Sequence, residues 1–165
     1  MMENRGQTSA EYLFFTGVLI LIIMISVVFI YNQQELNIAM GAARNGVTEG
    51  LVSSSGAIYP KQTFNDYSKS KSDLLIPYSV DIVNISYSEI GTDNNFNKKK
   101  IQFKVYAKTS RDFSKKELDS IGDRINYNLR KSIAVSFNST SSTNKLYNPV
   151  FSPHYVFTTA NVKWV

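Results

Sequence analysis

The sequence contains no cysteine and a single histidine, His154. Disulfide bonds, thiol nucleophiles and zinc sites built from cysteine and histidine are therefore excluded. The sequence also lacks a G-x-S-x-G turn around a reactive serine and a glycine-rich phosphate loop. Asp81, Asp112, Asp119 and Asp123 could approach one another, but they are interpreted as solvated acids of helices and loops. We therefore expect no enzymatic activity, no metal and no cofactor.

Basic residues exceed acidic ones, 18 against 13, which gives a formal net charge of +5. Clusters of lysine occur only at Lys98–Lys100 and Lys115–Lys116. They are interpreted as solvated lysines of loops and helix ends. Because neither cluster forms an arginine-rich face with interleaved aromatic residues, nucleic acid is not an expected partner.

One long segment carries no charge at all, from Tyr12 to Gln34, and its first part, Tyr12 to Tyr31, is almost wholly apolar. At about 1.5 Å of rise per residue, that apolar part makes a helix of roughly 30 Å, the thickness of a bilayer core. The segment is predicted to span a membrane. Polar residues come before it, and no small-residue cleavage site follows it, so we expect it to remain in the mature protein.

The nine residues from Arg5 to Leu13 read Arg-Gly-Gln-Thr-Ser-Ala-Glu-Tyr-Leu and stand at the start of the apolar run. They resemble the class III signal peptide of archaeal type IV pilin-like proteins. In the methanogen group of that family, a basic residue and a glycine precede a Q-x-S-x-E-Y segment and a long apolar helix. The resemblance implies that a prepilin peptidase cuts between Gly6 and Gln7. Glu11 then becomes the fifth mature residue, where type IV pilins characteristically place a glutamate.

The same resemblance implies a function. The chain would be a structural subunit, major or minor, of an archaeal type IV pilus-like surface filament that supports adhesion or surface attachment. Before assembly it would be a single-pass protein of the cell membrane with its N-terminus inside and its head outside. The implied partners are the prepilin peptidase, other pilin subunits, and the pilus assembly ATPase and platform. The alternative is a membrane-anchored surface binding protein that does not polymerise.

Glu11 also has a physical argument of its own. A carboxylate at the edge of an apolar helix costs a few kcal/mol to bury without a partner. It can stay at headgroup level in a bilayer, but in a filament core it needs a positive charge. The amine of Gln7 that cleavage creates on a neighbouring subunit is one candidate, so Glu11 is assigned a role in assembly. The other interpretation is a juxtamembrane acid with no role.

Helical periodicity continues beyond the apolar run and predicts an amphipathic stem. Its apolar stripe comprises Leu36, Met40, Ala43, Val47 and Leu51. Three glycines interrupt this stem, namely Gly41, Gly46 and Gly50. They allow either close helix approach or a bend. The helix is expected to stop at Ser53–Gly56.

The remainder predicts an α+β head. Residues 57–73 are polar and loop-like, and apolar residues then alternate in Val80–Tyr87 and Ile101–Ala107, which favours a β-hairpin with its turn at Gly91–Asn95. Ser114 and Glu117 match a capping box that begins a helix ending near Lys131. Three further strands are expected, at Ile133–Phe137, Lys145–Phe151 and Tyr155–Val165. Pro149 and Pro153 make the middle one an edge strand or a loop.

The expected organisation is therefore a removable signal peptide (1–6), an apolar helix with its stem (7–56) and an extracellular α+β head (57–165), together a type IV pilin-like fold. Two N-glycosylation sequons lie in the head, at Asn84 and Asn138. Asn138 stands in a Ser/Thr-rich turn and is expected to be more accessible than Asn84 in a strand.

Overall fold

The computed structural model describes residues 3–52, 80–110 and 112–165. The predicted helix stop at Ser53–Gly56, the polar segment 57–73 and the predicted boundary between stem and head lie outside these residues. The chain divides into two units, Met1–Asn37 and Ile38–Val165. Its broad class is α+β, with a long apolar helix at the N-terminus and a small mixed sheet with a later helix.

The helices and strands follow in this order: α1 (Glu3–Val52), β1 (Val80–Asp93), β2 (Lys98–Thr109), α2 (Lys115–Ser136), β3 (Val150–Phe151), β4 (Tyr155–Thr159) and β5 (Lys163–Trp164). A short 3₁₀ helix occupies Thr140–Ser142. The strands form one sheet in the order β1-β2-β4-β3, and β5 pairs with β2 beyond the end of β4.

The predicted hairpin is confirmed, since β1 and β2 pair antiparallel from Val80↔Thr109 to Asp93↔Lys98. Val83 is an extra residue on β1 and forms a β-bulge. Because of this bulge, Ile82 pairs with Ala107 and Ile85, three residues later, pairs with Val105. The turn lies at residues 94–97, so the predicted turn Gly91–Asn95 is right only at its last two residues. Gly91, at φ 102°, belongs to a second bulge inside β1, and the turn itself lies after Asp93.

Strand β2 is the centre of the sheet. Its alternating residues Ile101, Phe103, Val105 and Ala107 are buried at 0–1% exposure, as the sequence predicts. On its other side β2 pairs in parallel with both β4 and β5. The ring of Phe157 on β4 lies 6.0 Å from that of Phe103. Each fully buried aromatic or aliphatic side chain here contributes about 1.5–3 kcal/mol.

Helix α2 begins as predicted, with a complete capping box. The backbone N–H of Glu117 donates to Ser114 Oγ at 3.4 Å, and the backbone N–H of Ser114 donates to Glu117 Oε2 at 2.8 Å. The predicted end near Lys131 is wrong, as is the predicted strand Ile133–Phe137. Ile133 is fully buried because it continues the helical face of Ile121, Ile125 and Leu129.

The helix ends where Asn138 takes a left-handed conformation, φ 50°, and the Ser139 backbone N–H donates to the Ala134 carbonyl at 2.8 Å. Of the predicted strand Lys145–Phe151, only Val150–Phe151 forms a strand, β3. It lies at the edge of the sheet, as Pro149 suggests. The predicted strand Tyr155–Val165 is interrupted and forms β4 and β5.

The C-terminal part of α1 packs against α2 through small residues. Ala39, Ala42, Ala43 and Val47 are 0–5% exposed. A Cβ at Gly46 would lie 2.4 Å from the Asn128 carbonyl oxygen, and one at Gly50 would lie 3.1 Å from Asn128 Nδ2. Two of the three stem glycines therefore provide close helix approach.

The predicted apolar stripe of the stem is right only at its centre. Ala43 and Val47 are buried, but Leu36, Met40 and Leu51 are half-buried. The buried face follows the alanines and glycines instead, because only small residues let the backbones of α1 and α2 come this close. Gly41 faces open space, so close packing does not account for it.

Alkaline pH is expected to destabilise the Ile38–Val165 unit through Tyr127. Burial raises the pKa of the Tyr127 hydroxyl above its usual value of 10.0, and Tyr147, whose ring lies 5.5 Å away, adds to the rise against an opposing effect of Arg130. The folded state therefore prefers neutral Tyr127. This contribution is fully present below about pH 10 and is lost as the pH rises through the folded pKa. Urea unfolding of Tyr127→Phe at pH 9–11 should show a shallower fall than wild type, and parallel curves would contradict the assignment.

Candidate functional site

The segment from Ser9 to Tyr31 is the first candidate site, because all of its side chains are exposed. Its large apolar residues are 41–77% exposed, from Tyr12 at 77% to Val18 at 41%. The helix is long and apolar enough to cross a membrane, and none of its most apolar 18-residue window is buried. A monomeric protein in water rarely exposes so large an apolar surface.

The apolar side chains of this segment surround the helix on all sides. A surface helix of a soluble domain has one apolar stripe and one polar face, whereas a helix that is apolar all round is buried in a large core or in lipid. The amphipathic pattern begins only in the stem, where Arg44, Asn45, Thr48 and Glu49 are exposed opposite the alanine and glycine face. The surface of α1 thus changes character along its length.

Two hydroxyl groups of the apolar segment, those of Thr16 and Ser26, are satisfied within the helix. Thr16 Oγ1 donates to the Tyr12 carbonyl and Ser26 Oγ donates to the Ile22 carbonyl, each at 2.8 Å. A bilayer core offers no water to these groups, so the bond to the carbonyl one turn earlier makes them compatible with lipid. These two hydroxyl groups therefore do not argue against membrane insertion.

The polar end of the apolar run lies at Gln33 and Gln34. These amides, with Asn37, Phe29 and Ile30, line a shallow depression of about 270 Å³. An exposed tyrosine, Tyr31, stands at the same level. A tyrosine at the end of an apolar helix is typical of a membrane interface.

The predicted cleavage and assembly residues all lie within α1. Gly6 and Gln7 belong to the helix, and their side chains are outside the described part of the chain. Glu11 is exposed, directly before Tyr12, and its carboxylate has no hydrogen-bond or ion-pair partner among the described residues. A partner for Glu11 would therefore have to come from another molecule or from solvent.

The two sequon asparagines are both exposed. Asn84 follows the first bulge of β1, where it pairs with Tyr106, and Asn138 follows the end of α2. Because both side chains reach solvent, the expected difference in accessibility does not separate them. Glycosylation of either residue stays a prediction.

The two lysine clusters, Lys98–Lys100 and Lys115–Lys116, lie in different elements of the structure. Lys98–Lys100 begins strand β2, so its interpretation as a loop is wrong. Lys98 Nζ donates to the Ser152 carbonyl at 2.7 Å, and Lys99 Nζ lies 3.2 Å from Glu89 Oε1. Lys115 and Lys116 are exposed at the start of α2, as expected of helix-end lysines.

Within residues 3–52, 80–110 and 112–165, no group of three or more His, Cys, Asp or Glu residues could hold a metal ion. His154 is exposed. Asp81 Oδ2 lies 3.9 Å from Lys108 Nζ. Asp119 and Asp123, however, line one cavity of about 240 Å³.

The other walls of that cavity were not anticipated from the sequence. Asn126 and Trp164 line it together with the two aspartates. The spacing of Asp119, Asp123 and Asn126 on α2 puts them on one helix face and could have suggested a polar cluster. Nothing in the local pattern could have placed Trp164 beside them, because β5 reaches that position only through its pairing with β2.

No protein-family model, curated protein or solved structure matches the chain. The residues at the start of α1 and the physical properties of that helix are therefore the features that bear on function.

Proposed function

We propose that this protein is a subunit, major or minor, of an archaeal type IV pilus-like surface filament. One observation carries the proposal. The segment Arg5–Leu13, which resembles a class III signal peptide, lies at the start of a helix segment that is apolar and exposed on all sides. A plain membrane anchor needs the helix but neither a cleavage site nor Glu11.

Assembly would transfer the helix from lipid to a core of neighbouring helices. Lipid tails are as apolar as leucine, so this transfer gives little hydrophobic gain, and packing and polar pairing must favour the filament. Glu11 supplies the polar pair if it meets the new amine of Gln7 on a neighbouring subunit. Because that amine exists only after cleavage, processing would precede assembly.

The proposal implies three kinds of partner: a prepilin peptidase, other copies or related subunits, and an assembly ATPase with its membrane platform. The subunit would wait in the cell membrane with its N-terminus inside and its head outside. In the filament the α+β head would lie on the outer surface, where it could support adhesion or surface attachment.

The direct test is the N-terminal sequence and intact mass of the native protein, purified separately from membranes and from sheared surface filaments. The filament form should begin at Gln7. A Gly6→Val variant should retain residues 1–6, stay in the membrane and give no filaments by electron microscopy. Mass beyond that of the bare mature chain, removed by Asn84→Gln or Asn138→Gln, would identify glycosylation in the same experiment.

A mature chain that still begins at Met1 would overturn the proposal. If such a chain displayed its head at the cell surface and a deletion strain kept its filaments, the protein would instead be an anchored binding protein that does not polymerise.

A further inference from the structure

The outer face of the sheet points away from α2. Trp164 pairs with Ala107 of β2, and its ring would lie 4.0 Å from a Cβ at Gly122 on α2, so the buried residues of β2 face that helix. Successive residues of a strand point to opposite faces of the sheet. The alternate residues of β2 therefore lie on the outer face, namely Lys98, Lys100, Gln102, Lys104, Tyr106 and Lys108.

Two neighbouring strands extend this face around Tyr106. On one side Lys163 of β5 pairs with Tyr106, and its Nζ lies 5.9 Å from the centroid of the tyrosine ring. On the other side Asn84 of β1 pairs with Tyr106, and Ser86 pairs with Lys104. Because paired residues of adjacent strands share a face, an amide, a hydroxyl group, an aromatic ring and two ammonium groups lie side by side.

Among the strands that the structure describes, carboxylates lie on this face only near its two ends. At one end Asp93 Oδ2 lies 3.7 Å from Lys100 Nζ, and at the other Asp81 Oδ2 lies 3.9 Å from Lys108 Nζ. The side chains of the second pair are 63% and 58% exposed, so water weakens their attraction. Lys108 is therefore still available to an anion from outside.

The middle of the face carries positive charge without a neighbouring carboxylate. Lys104 is half-buried and Lys163 is exposed, and within the described residues neither ammonium group forms a hydrogen bond or an ion pair. The four lysines of β2 on this face, together with Lys163, stand against Asp81 and Asp93. An excess of one sign of charge on one face attracts partners of the opposite sign.

We propose that this face binds an acidic polysaccharide, a polymer of sugars that carry carboxylate groups. Its charges form a row along the surface, since Lys104 and Lys108 are roughly 13 Å apart along β2. A row of this kind complements a polymer whose negative charge repeats along its length. Asn84 and Ser86 exchange hydrogen bonds with sugar hydroxyl groups, and the ring of Tyr106 offers apolar surface to the C–H groups of a sugar ring.

This partner gives a chemical basis to the adhesion or surface attachment in the proposed function. It rests on that function in one respect, because a polysaccharide outside the cell reaches the face only if the head is exported. The charges and the arrangement of the face do not depend on filament assembly.

Two other kinds of polyanion fit the face less well. Amphipathic segments that bind a lipid surface insert apolar side chains into it, whereas the outward residues of β2 include no aliphatic side chain. Single-stranded nucleic acid is bound by stacking successive bases on aromatic rings, and Tyr106 is the only outward aromatic residue of β2. The amide and hydroxyl groups around Tyr106 suit a partner that is rich in hydroxyl groups.

The binding test uses the full chain in a nonionic detergent and immobilised alginate, a polymer of sugar carboxylates, with uncharged dextran as the reference. A glycan on Asn84 would cover the face, so the chain is produced in a host without N-glycosylation. We expect saturable binding to alginate that weakens as sodium chloride is added, and no binding to dextran.

Lys104→Gln with Lys163→Gln should weaken alginate binding at least about fivefold, because both charges in the middle of the face are lost. Lys115→Gln with Lys116→Gln is the matched control, since it removes the same charge from the exposed start of α2. The control should stay within about twofold of wild type, because charges distant from the contact are screened by salt. Circular dichroism of both double variants should match wild type.

Equal weakening in the two double variants would overturn the proposal, because net charge and not this face would then explain the binding. Duplex DNA and phosphatidylglycerol vesicles are tested in the same way. Tighter binding of either than of alginate, lost in the Lys104/Lys163 variant, would assign the face to that partner and overturn the polysaccharide. Absence of alginate binding would also overturn it while leaving the filament proposal standing, and a native chain that begins at Met1 would have the opposite effect.

Discussion

Replacement of Gly46 by alanine should destabilise the Ile38–Val165 unit by about 2 kcal/mol. The new Cβ would lie 2.4 Å from the Asn128 carbonyl oxygen and 2.8 Å from Leu129 Cα. Both are backbone atoms, so no side-chain rotation relieves the clash and α1 must move away from α2. The greater helix propensity of alanine, about 1 kcal/mol, offsets only part of this cost. Urea unfolding of the full chain in detergent, followed by Trp164 fluorescence, measures the difference.

The same helix offers two matched controls. At Gly41 a Cβ meets nothing within 4 Å, so Gly41→Ala should be neutral or more stable than wild type by up to about 1 kcal/mol. At Gly50 the nearest atoms belong to the Asn128 side chain, which can move, so Gly50→Ala should fall between the other two. Equal stability of the Gly46 and Gly41 variants would show that the stem does not pack on α2 as described.

Replacement of Glu11 by alanine should reduce the yield of surface filaments at least tenfold while leaving the N-terminus at Gln7. If Glu11 pairs with an amine in the filament core, removing it leaves a buried positive charge without a partner, and the loss of one member of such a pair typically costs 3–5 kcal/mol. The membrane-inserted form should accumulate normally, because an exposed carboxylate at the edge of the apolar segment contributes little there. Filaments are counted by electron microscopy, and processing is checked by mass spectrometry.

Glu49→Ala is the appropriate control, because it removes an exposed acid from the same helix beyond the apolar segment. It should leave filament yield within about twofold of wild type. Glu11→Gln separates charge from shape and should behave like Glu11→Ala. If a correctly processed Glu11→Ala variant gives a normal yield, Glu11 has no role in assembly, although the protein could still be a filament subunit.

Local patterns predicted the parts of the fold that local interactions determine. The alternation in Ile101–Ala107 predicts the strand that became β2, and the Ser114–Glu117 spacing predicts the start of α2. Both signals reflect interactions within a few residues. The end of α2 was missed because Ile133 and Val135 favour strands by side-chain type, whereas the spacing from Ile121 to Ile133 keeps the same helix face in the core. Packing of that face against the sheet overrode the intrinsic preference.

The turn was misplaced for a similar reason. Gly91 permits a positive φ, which a turn and a bulge can both use, and only the register with β2 decides between them. The polar cavity shows the same limit. Its aspartates were visible as a spacing on one helix, but the contribution of Trp164 depends on where β5 lies. Local sequence patterns do not predict which distant segments pair.

The parallel pairing of β2 with β4 and β5 has a consequence for the order of events after synthesis. β2 has its hairpin partner immediately before it, but its other edge stays open until residues 155–164 arrive, because those are the only described strands that pair there. Contacts between segments so far apart in sequence form slowly. If the head emerges on the far side of a membrane behind an inserted helix, it crosses with an unpaired strand edge and reaches its stable form only after β5 has crossed as well. Substitutions in Tyr155–Thr159 should therefore affect export and folding yield before they affect anything that the finished head does.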